Sequence, residues 1–287
     1  MEEKIIDNYI REFISELKFV KGTAESSLRE YKKILNLYKP LAVENGINKF
    51  SFLNFLEKNS TLAKNTIKLR TIVIKSFLNY LFENGYISGN NYWKQAITKS
   101  STEVPKGMTE KQVEIFFSVI KNNRDYIFFD LLIKMGLRIS EALSLKRKNL
   151  IFHTEYCEMI VIGKGNKERI LKISKEYAES LLFNNTDYLF SKTINEKEVV
   201  PTSRTIQRKF KNYADKANEL IKKLNKKGGN INFIEATPHA LRHTCAKRLL
   251  NNGKNIEEVR YILGHTNIST TGIYLRSEHH SSLLDKI

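Results

Sequence analysis

Two cysteines, four prolines and a single tryptophan in 287 residues leave this chain few covalent or conformational staples. Cys157 and Cys245 cannot make a disulfide framework, which points to a reducing compartment. Long apolar runs are missing as well. The most hydrophobic stretch, YIFFDLLIKMGL at 126–137, is short and broken by Asp130 and Lys134, so no membrane span is expected. The opening MEEKIIDNYI is acidic and lacks the apolar centre of a secretory signal, and a cytoplasmic location is the expectation. Acidic residues are in deficit: 31 Asp and Glu stand against 48 Lys and Arg, a net charge of +17. Such an excess favours a polyanionic partner. Residues 1–101 carry 16 basic and 10 acidic side chains and the remainder is also positive, so the charge does not sit in a tail. A Lys-, Asn- and Ile-rich composition drawn from an AT-rich genome would raise the charge with no such partner, and charge alone does not decide.

What is present is helical periodicity. Ile6, Tyr9, Ile10, Phe13, Ile14 and Leu17 repeat at helical spacing over residues 1–19. Ser27 and Glu30 have the spacing of a capping box for a second helix that Pro40 should stop. A short helix is expected from Phe50 to Leu56, and a longer one from an Asn65 cap to Gly85. Lys64, Lys68, Arg70 and Lys75 lie along it and, as a set, suit contact with a nucleic-acid backbone; any one of them alone is better read as a solvated face. The stretch SSTEVPKGM has no apolar period and reads as linker, giving an N-terminal helical domain at 1–98, a linker at 99–108 and a second domain at 109–287. Thr109 and Gln112 open the second domain with another capping box, and helices are expected at 109–121, 125–135 and 138–146. CEMIVIGKGNKERILKI reads as a β-hairpin around a Gly-Asn turn, with Lys167 and Arg169 as further backbone contacts on its return strand. Helices follow at about 174–183, from Ser203, from a Thr237 cap with Pro238 in the first turn to Asn252, at 256–263, and from near Ser269. The fold class is therefore mainly α with a small β-sheet.

Taken singly, the polar residues of the second domain have plain explanations. Arg138 and Glu141, three apart on one helix, suit a surface ion pair. Lys164 suits a polar turn, and His265 follows Leu-Gly at a helix end. His239 and His243 have metal-ligand spacing, but Ala240 stands where a zinc protease needs Glu. Together they suit one reaction. A phosphodiester resists attack because its oxygens are negative and its alkoxide leaves poorly. Guanidinium forks from Arg138 and Arg242 would neutralise the non-bridging oxygens, His239 and His265 would donate or exchange protons, Lys164 would protonate the leaving oxygen, and the phenol of Tyr274 would store the bond energy covalently.

GLRISE, GKGNKER, PHALRHT, LGH and the Tyr in TTGIYLR resemble, in order, the motif blocks of the tyrosine recombinase (phage integrase) family, closest to compact Xer-type recombinases and small mobile-element integrases or resolvases. The resemblance spans about 109–276, and the N-terminal helices resemble that family's SAM-like core-binding domain. It implies an α+β catalytic domain that closes with the first domain into a C-shaped clamp on DNA. It also implies site-specific cleavage and rejoining with type IB topoisomerase-like chemistry, through a 3′-phosphotyrosyl intermediate and a Holliday junction. Arg138 and Arg242 would clamp the phosphate, Lys164 would be the general acid, and His239 would assist proton transfer. His265 would hold the transition state, Glu141 would brace the arginines, and Tyr274 would be the nucleophile. No metal or other cofactor is implied. The implied partners are double-stranded DNA with an inverted-repeat core site and a homo-tetramer on two sites, with a paralogous or accessory protein as an optional addition, at the nucleoid. Residues 214–236 are longer than in a compact Xer protein and only 13 residues follow Tyr274, which leans toward integration or excision of a mobile element, or cointegrate resolution. Xer-type chromosome dimer resolution, a non-catalytic DNA-binding accessory protein, and a metal-dependent nuclease using His239, His243 and His265 are the competing readings.

Overall fold

In a computed structural model, residues 2–95, 107–163, 165–235 and 237–264 are described. The chain divides into two compact units, Met1–Glu103 and Val104–Ile287.

In the first unit, α1 (Glu3–Phe19) buries Ile6, Ile10, Phe13 and Leu17, one face of a 3.6-residue period. Phe13 meets Phe77 and Tyr80 of α4 (Lys64–Glu83) at centroid distances of 5.5 and 5.3 Å. Each large apolar side chain so buried stabilises the unit by about 1.5–3 kcal/mol. Between them lie α2 (Glu25–Asn45) and α3 (Lys49–Lys58), the latter opened by a reciprocal Asn48–Ser51 capping box. Three sequence expectations fail here. Ser27 does not cap α2, because the carbonyl of Ala24 already takes the Ser27 and Leu28 amides and places Ser27 inside the first turn. Asn65 does not cap α4 for the same reason: the Ala63 carbonyl takes the amides of Thr66 and Ile67. Nor does Pro40 stop α2. Its ring is exposed, the buried face runs on through Leu41 and Ala42, and the turn comes at Gly46 with φ +75°.

The second unit opens with α5 (Glu110–Ser118), capped by Thr109 and Gln112 as their spacing predicts. The preceding residues are also packed: Met108 is buried and its N–H donates to Thr244 Oγ1 at 2.8 Å. α6 (Asn123–Met135) ends at Gly136, and α7 (Ile139–Ser144) follows after two residues. An antiparallel sheet then runs in the order β1 (Leu150–Phe152), β2 (Tyr156–Ile162) and β3 (Glu168–Ser174), with Val161 opposite Arg169 and Met159 opposite Leu171. Beyond α8 (Lys175–Ser180), a second hairpin pairs β4 (Lys192–Ile194) with β5 (Lys197–Val199), its turn made by Asn195 and Glu196 at positive φ. β1 and this hairpin are absent from the sequence reading.

α9 (Ser203–Lys226) carries into the long segment noted at 214–236. That segment folds back and is held by side-chain amides: Asn225 pairs with the Ile231 backbone, Asn218 with that of Ile234, and Gln112 donates to the Asn232 and Phe233 carbonyls. α10 (His239–Asn251) starts one residue later than expected, with Pro238 rather than Thr237 at its N-cap and the Thr237 carbonyl accepting from Ala240, and α11 (Ile256–Leu263) is opened by an Asn255–Glu258 capping box. Among the described residues no helix is long and apolar enough to cross a membrane.

Candidate active site

Two helix ends and one strand end converge on Glu141. Arg138 occupies the N-cap of α7 and Glu141 is three residues on, so the Arg138 N–H donates to Glu141 Oε2 at 2.9 Å while its Nη1 donates to Oε1 at 2.6 Å. Arg138 Nη2 also reaches the Gly264 carbonyl at 3.3 Å. The pair is therefore not a surface ion pair: the Glu141 side chain is 3% exposed. Arg242, on α10, lies 3.9 Å from Glu141 through Nη1 and is 5% exposed. It is held by two carbonyls at 2.5 Å, Gly136 O at the end of α6 and Leu263 O at the end of α11. Helix C-termini bear partial negative charge, so both ends favour a cation there.

The third guanidinium corrects the sequence. Arg169, expected to contact DNA, is 6% exposed and donates through Nη2 to Glu141 Oε2 at 2.8 Å and through Nε to the Ile262 carbonyl at 2.9 Å. Strand alternation explains it: β3 buries Leu171 and Ile173, and two residues earlier the same face is occupied by Arg169. That period-two pattern was the available signal. One carboxylate among three guanidinium groups leaves the centre net positive. Burial alone raises the Glu141 pKa, but hydrogen bonds from Arg169 and from the Arg138 amide, with their charge, hold it below the ordinary carboxylate value.

His239 stands at the start of α10, exposed at its rim. Partial burial of the imidazole, then the charges of Arg242 and Arg138, lower its pKa and keep it neutral near pH 7. His243, one turn on, has its ring centroid 6.3 Å away and is held down to about 4 by burial, then by His239, Arg242 and Lys247. Among the described residues, no group of three His, Cys, Asp or Glu could hold a metal ion. The structure thus brings Arg138, Glu141, His239 and Arg242 into one place. Lys164, His265 and Tyr274 lie outside the described residues.

The remaining expected DNA contacts are dispersed. Lys64 and Lys167 are exposed, Lys68 is half-buried, Arg70 donates to Asn59 Oδ1, and Lys75 donates to the Lys94 carbonyl at 3.1 Å.

The model described as the phage integrase family matches residues 106–280. The tyrosine recombinase XerA of Pyrococcus horikoshii is 32% identical over 282 residues, covering 96% of this chain and 91% of the relative. Two solved structures share the fold. One is the XerH site-specific recombinase bound to a palindromic difH substrate in a post-cleavage complex, with a TM-score of 0.70 and 19% identity over 95% of this chain and 85% of that one. The other is the Tn1549 transposon integrase in complex with a circular intermediate DNA, with a TM-score of 0.68 and 19% identity over 93% of this chain and 94% of that one.

Proposed function

The chain belongs to the phage integrase family and is a tyrosine site-specific DNA recombinase, and from that premise we propose how its residues divide the reaction. The observation that carries the proposal is the convergence of Arg138 and Arg242 on a buried Glu141, a positive centre whose two arginines also lower the pKa of His239. The phenol oxygen of Tyr274 attacks the scissile phosphorus and its proton passes to His239. The bond from phosphorus to the 5′-oxygen breaks, and Lys164 gives that oxygen a proton. Arg138, Arg242 and His265 hold the non-bridging oxygens as charge develops; each such preorganised donor is worth roughly 10²–10³ in rate. The product is a 3′-phosphotyrosyl link and a free 5′-hydroxyl. A 5′-hydroxyl from the partner duplex reverses the step, and two rounds of exchange pass through a Holliday junction. The covalent link conserves the bond energy, so the scheme calls for no metal or nucleotide cofactor.

The partner is double-stranded DNA with an inverted-repeat core site, gripped in a clamp by the core-binding domain (1–98) and the catalytic domain (109–287) across the linker (99–108). Lys64, Lys68 and Lys167 supply backbone contacts, and four protomers act on two sites at the nucleoid. The long 214–236 segment favours integration or excision of a mobile element or cointegrate resolution. Likeness to XerA over nearly the whole chain favours a second reading, chromosome dimer resolution. A DNA-binding protein without catalysis would have no use for so complete a residue set.

The test is the full-length Tyr274→Phe variant on a nicked core-site duplex. It should bind DNA like the parent and leave no covalent adduct on a denaturing gel, whereas a persisting adduct would assign the nucleophile elsewhere.

A further inference from the structure

We infer that Arg169 is a positioning residue that fixes the base of the β2–β3 hairpin against Glu141 and that proton donation by Lys164 depends on it; the inference rests on the general-acid role proposed above for Lys164. A guanidinium buried at the end of a strand is costly unless each of its directions is matched. Arg169 is matched in three: Nη2 to Glu141 Oε2 at 2.8 Å, Nη1 to Oε1 at 3.4 Å, and Nε to the Ile262 carbonyl at 2.9 Å. None of these partners belongs to the sheet. They tie β3 to α7 and to the end of α11, so the hairpin is referenced to the same carboxylate that holds Arg138.

The hairpin base rests on that pair. The Gly163 N–H donates to the Lys167 carbonyl at 2.8 Å, which closes the hairpin turn that carries Gly165 and Asn166. A Cβ at Gly163 would stand 3.5 Å from Glu141 Oε1 and 3.6 Å from Arg169 Nη1, ordinary contact with both. On the other side, a Cβ at Gly264 would stand 2.8 Å from Arg169 Nη1, so that turn is pressed onto the same guanidinium. Lys164 directly follows Gly163 in the chain. A general acid works only within hydrogen-bond reach of the leaving oxygen, and misplacement by about 1 Å costs on the order of 10²-fold. A lysine ammonium in place of Arg169 keeps the charge but offers no planar fork to span Glu141 and Ile262 together.

The test compares full-length parent, Arg169→Lys and Lys164→Ala in single-turnover adduct formation. The substrate is a nicked duplex of a core site selected from random duplexes on the full-length chain. It is made twice, once with the natural 5′-oxygen and once with a bridging 5′-sulfur, which leaves as thiolate without needing a proton. On the oxygen substrate, Arg169→Lys should be slower by about 10²-fold, with DNA affinity close to the parent and the variant still folded at the assay temperature. On the sulfur substrate both variants should recover to within about threefold of the parent, a readout that a merely structural role would not produce. Recovery of Lys164→Ala without recovery of Arg169→Lys, an unchanged Arg169→Lys rate on oxygen, or a tenfold loss of its DNA affinity would overturn the positioning role alone. Failure of Lys164→Ala to recover would overturn the general-acid reading and the inference with it. If Arg169→Lys does not fold, Arg169→Gln, which keeps a planar donor, is measured on the same two substrates with the same outcomes.

Discussion

A single carboxylate, Glu141, is buried among three guanidinium groups in the second unit. Its removal should be felt in stability before it is felt in chemistry. Glu141→Gln keeps the shape but leaves Arg169 and Arg242, both buried, without their counter-charge. Breaking a buried pair from one side costs about 3–5 kcal/mol, so urea unfolding should show a loss of that order at neutral pH. The folded-state pKa of Glu141 is depressed, so its contribution is present above the ordinary value near 4.5 and is lost as pH falls through the folded value. The gap between parent and Glu141→Gln should therefore narrow only below about pH 4.5; a gap independent of pH would remove the ion pair as its cause. His243 acts in a separate window. Its folded-state value is about 4, while the unfolded chain takes up the proton from about 6.5 downward. The unfolded state binds more protons between those values, so the His243 contribution to stability falls as pH drops from 6.5 toward 4. His243→Gln should flatten that slope in urea midpoints measured across the window, and an unchanged slope would assign it to other groups.

At the scale of elements, the site depends on helix ends meeting without side chains between them. Gly136 joins α6 to α7 at φ +62°, its carbonyl accepts from Arg242, and a Cβ there would stand 2.4 Å from Leu263 Cδ2 and 3.1 Å from Cys245 Sγ. Gly136→Ala adds left-handed strain of roughly 1–2 kcal/mol to that overlap, and its relief must displace the buried Leu263 side chain from its packing. The expected result is a loss of more than about 2 kcal/mol in thermal or urea unfolding and slower adduct formation as Arg242 shifts; a variant of parental stability would contradict the packing. These junctions also set what could be read from sequence. Signals made within a few residues were legible: the Thr109–Gln112 box and the β2–β3 hairpin around its Gly-Asn turn. Signals settled by distant partners were not. Ser27 and Asn65 had capping side chains but were pre-empted by carbonyls upstream. β1 and β4–β5 are three residues each, too short to show a period. Arg169 looked like one more surface cation because its partners, Glu141 and Ile262, are remote in the chain. Arg138, Arg242, His239 and Glu141 were found from their motifs, whereas their burial and the backbone carbonyls that hold Arg242 were visible only in the fold.

For the whole molecule the governing quantity is charge. The net +17 is spread over both halves of the chain, and the buried arginines of the second unit are committed to Glu141 and to helix ends. Long-range attraction of a duplex must then come from exposed side chains such as Lys64 and Lys167 on each unit. Every phosphate neutralised releases counterions, so the logarithm of affinity falls with the logarithm of salt at a slope of about 0.9 per contact. If both units grip the duplex, six to ten contacts are a reasonable total, and affinity of the full-length chain should drop roughly 10³–10⁵-fold between about 50 and 200 mM salt. Fluorescence anisotropy with a labelled core-site duplex measures this directly. Replacing Lys64 and Lys68 together should lower the slope by about two while leaving adduct formation at saturating protein unchanged, because neither residue lies in the catalytic cluster. A slope near three or less in the parent would mean that one unit alone holds the DNA, and the clamp would have to be abandoned even though the chemistry at Glu141 and its arginines stood.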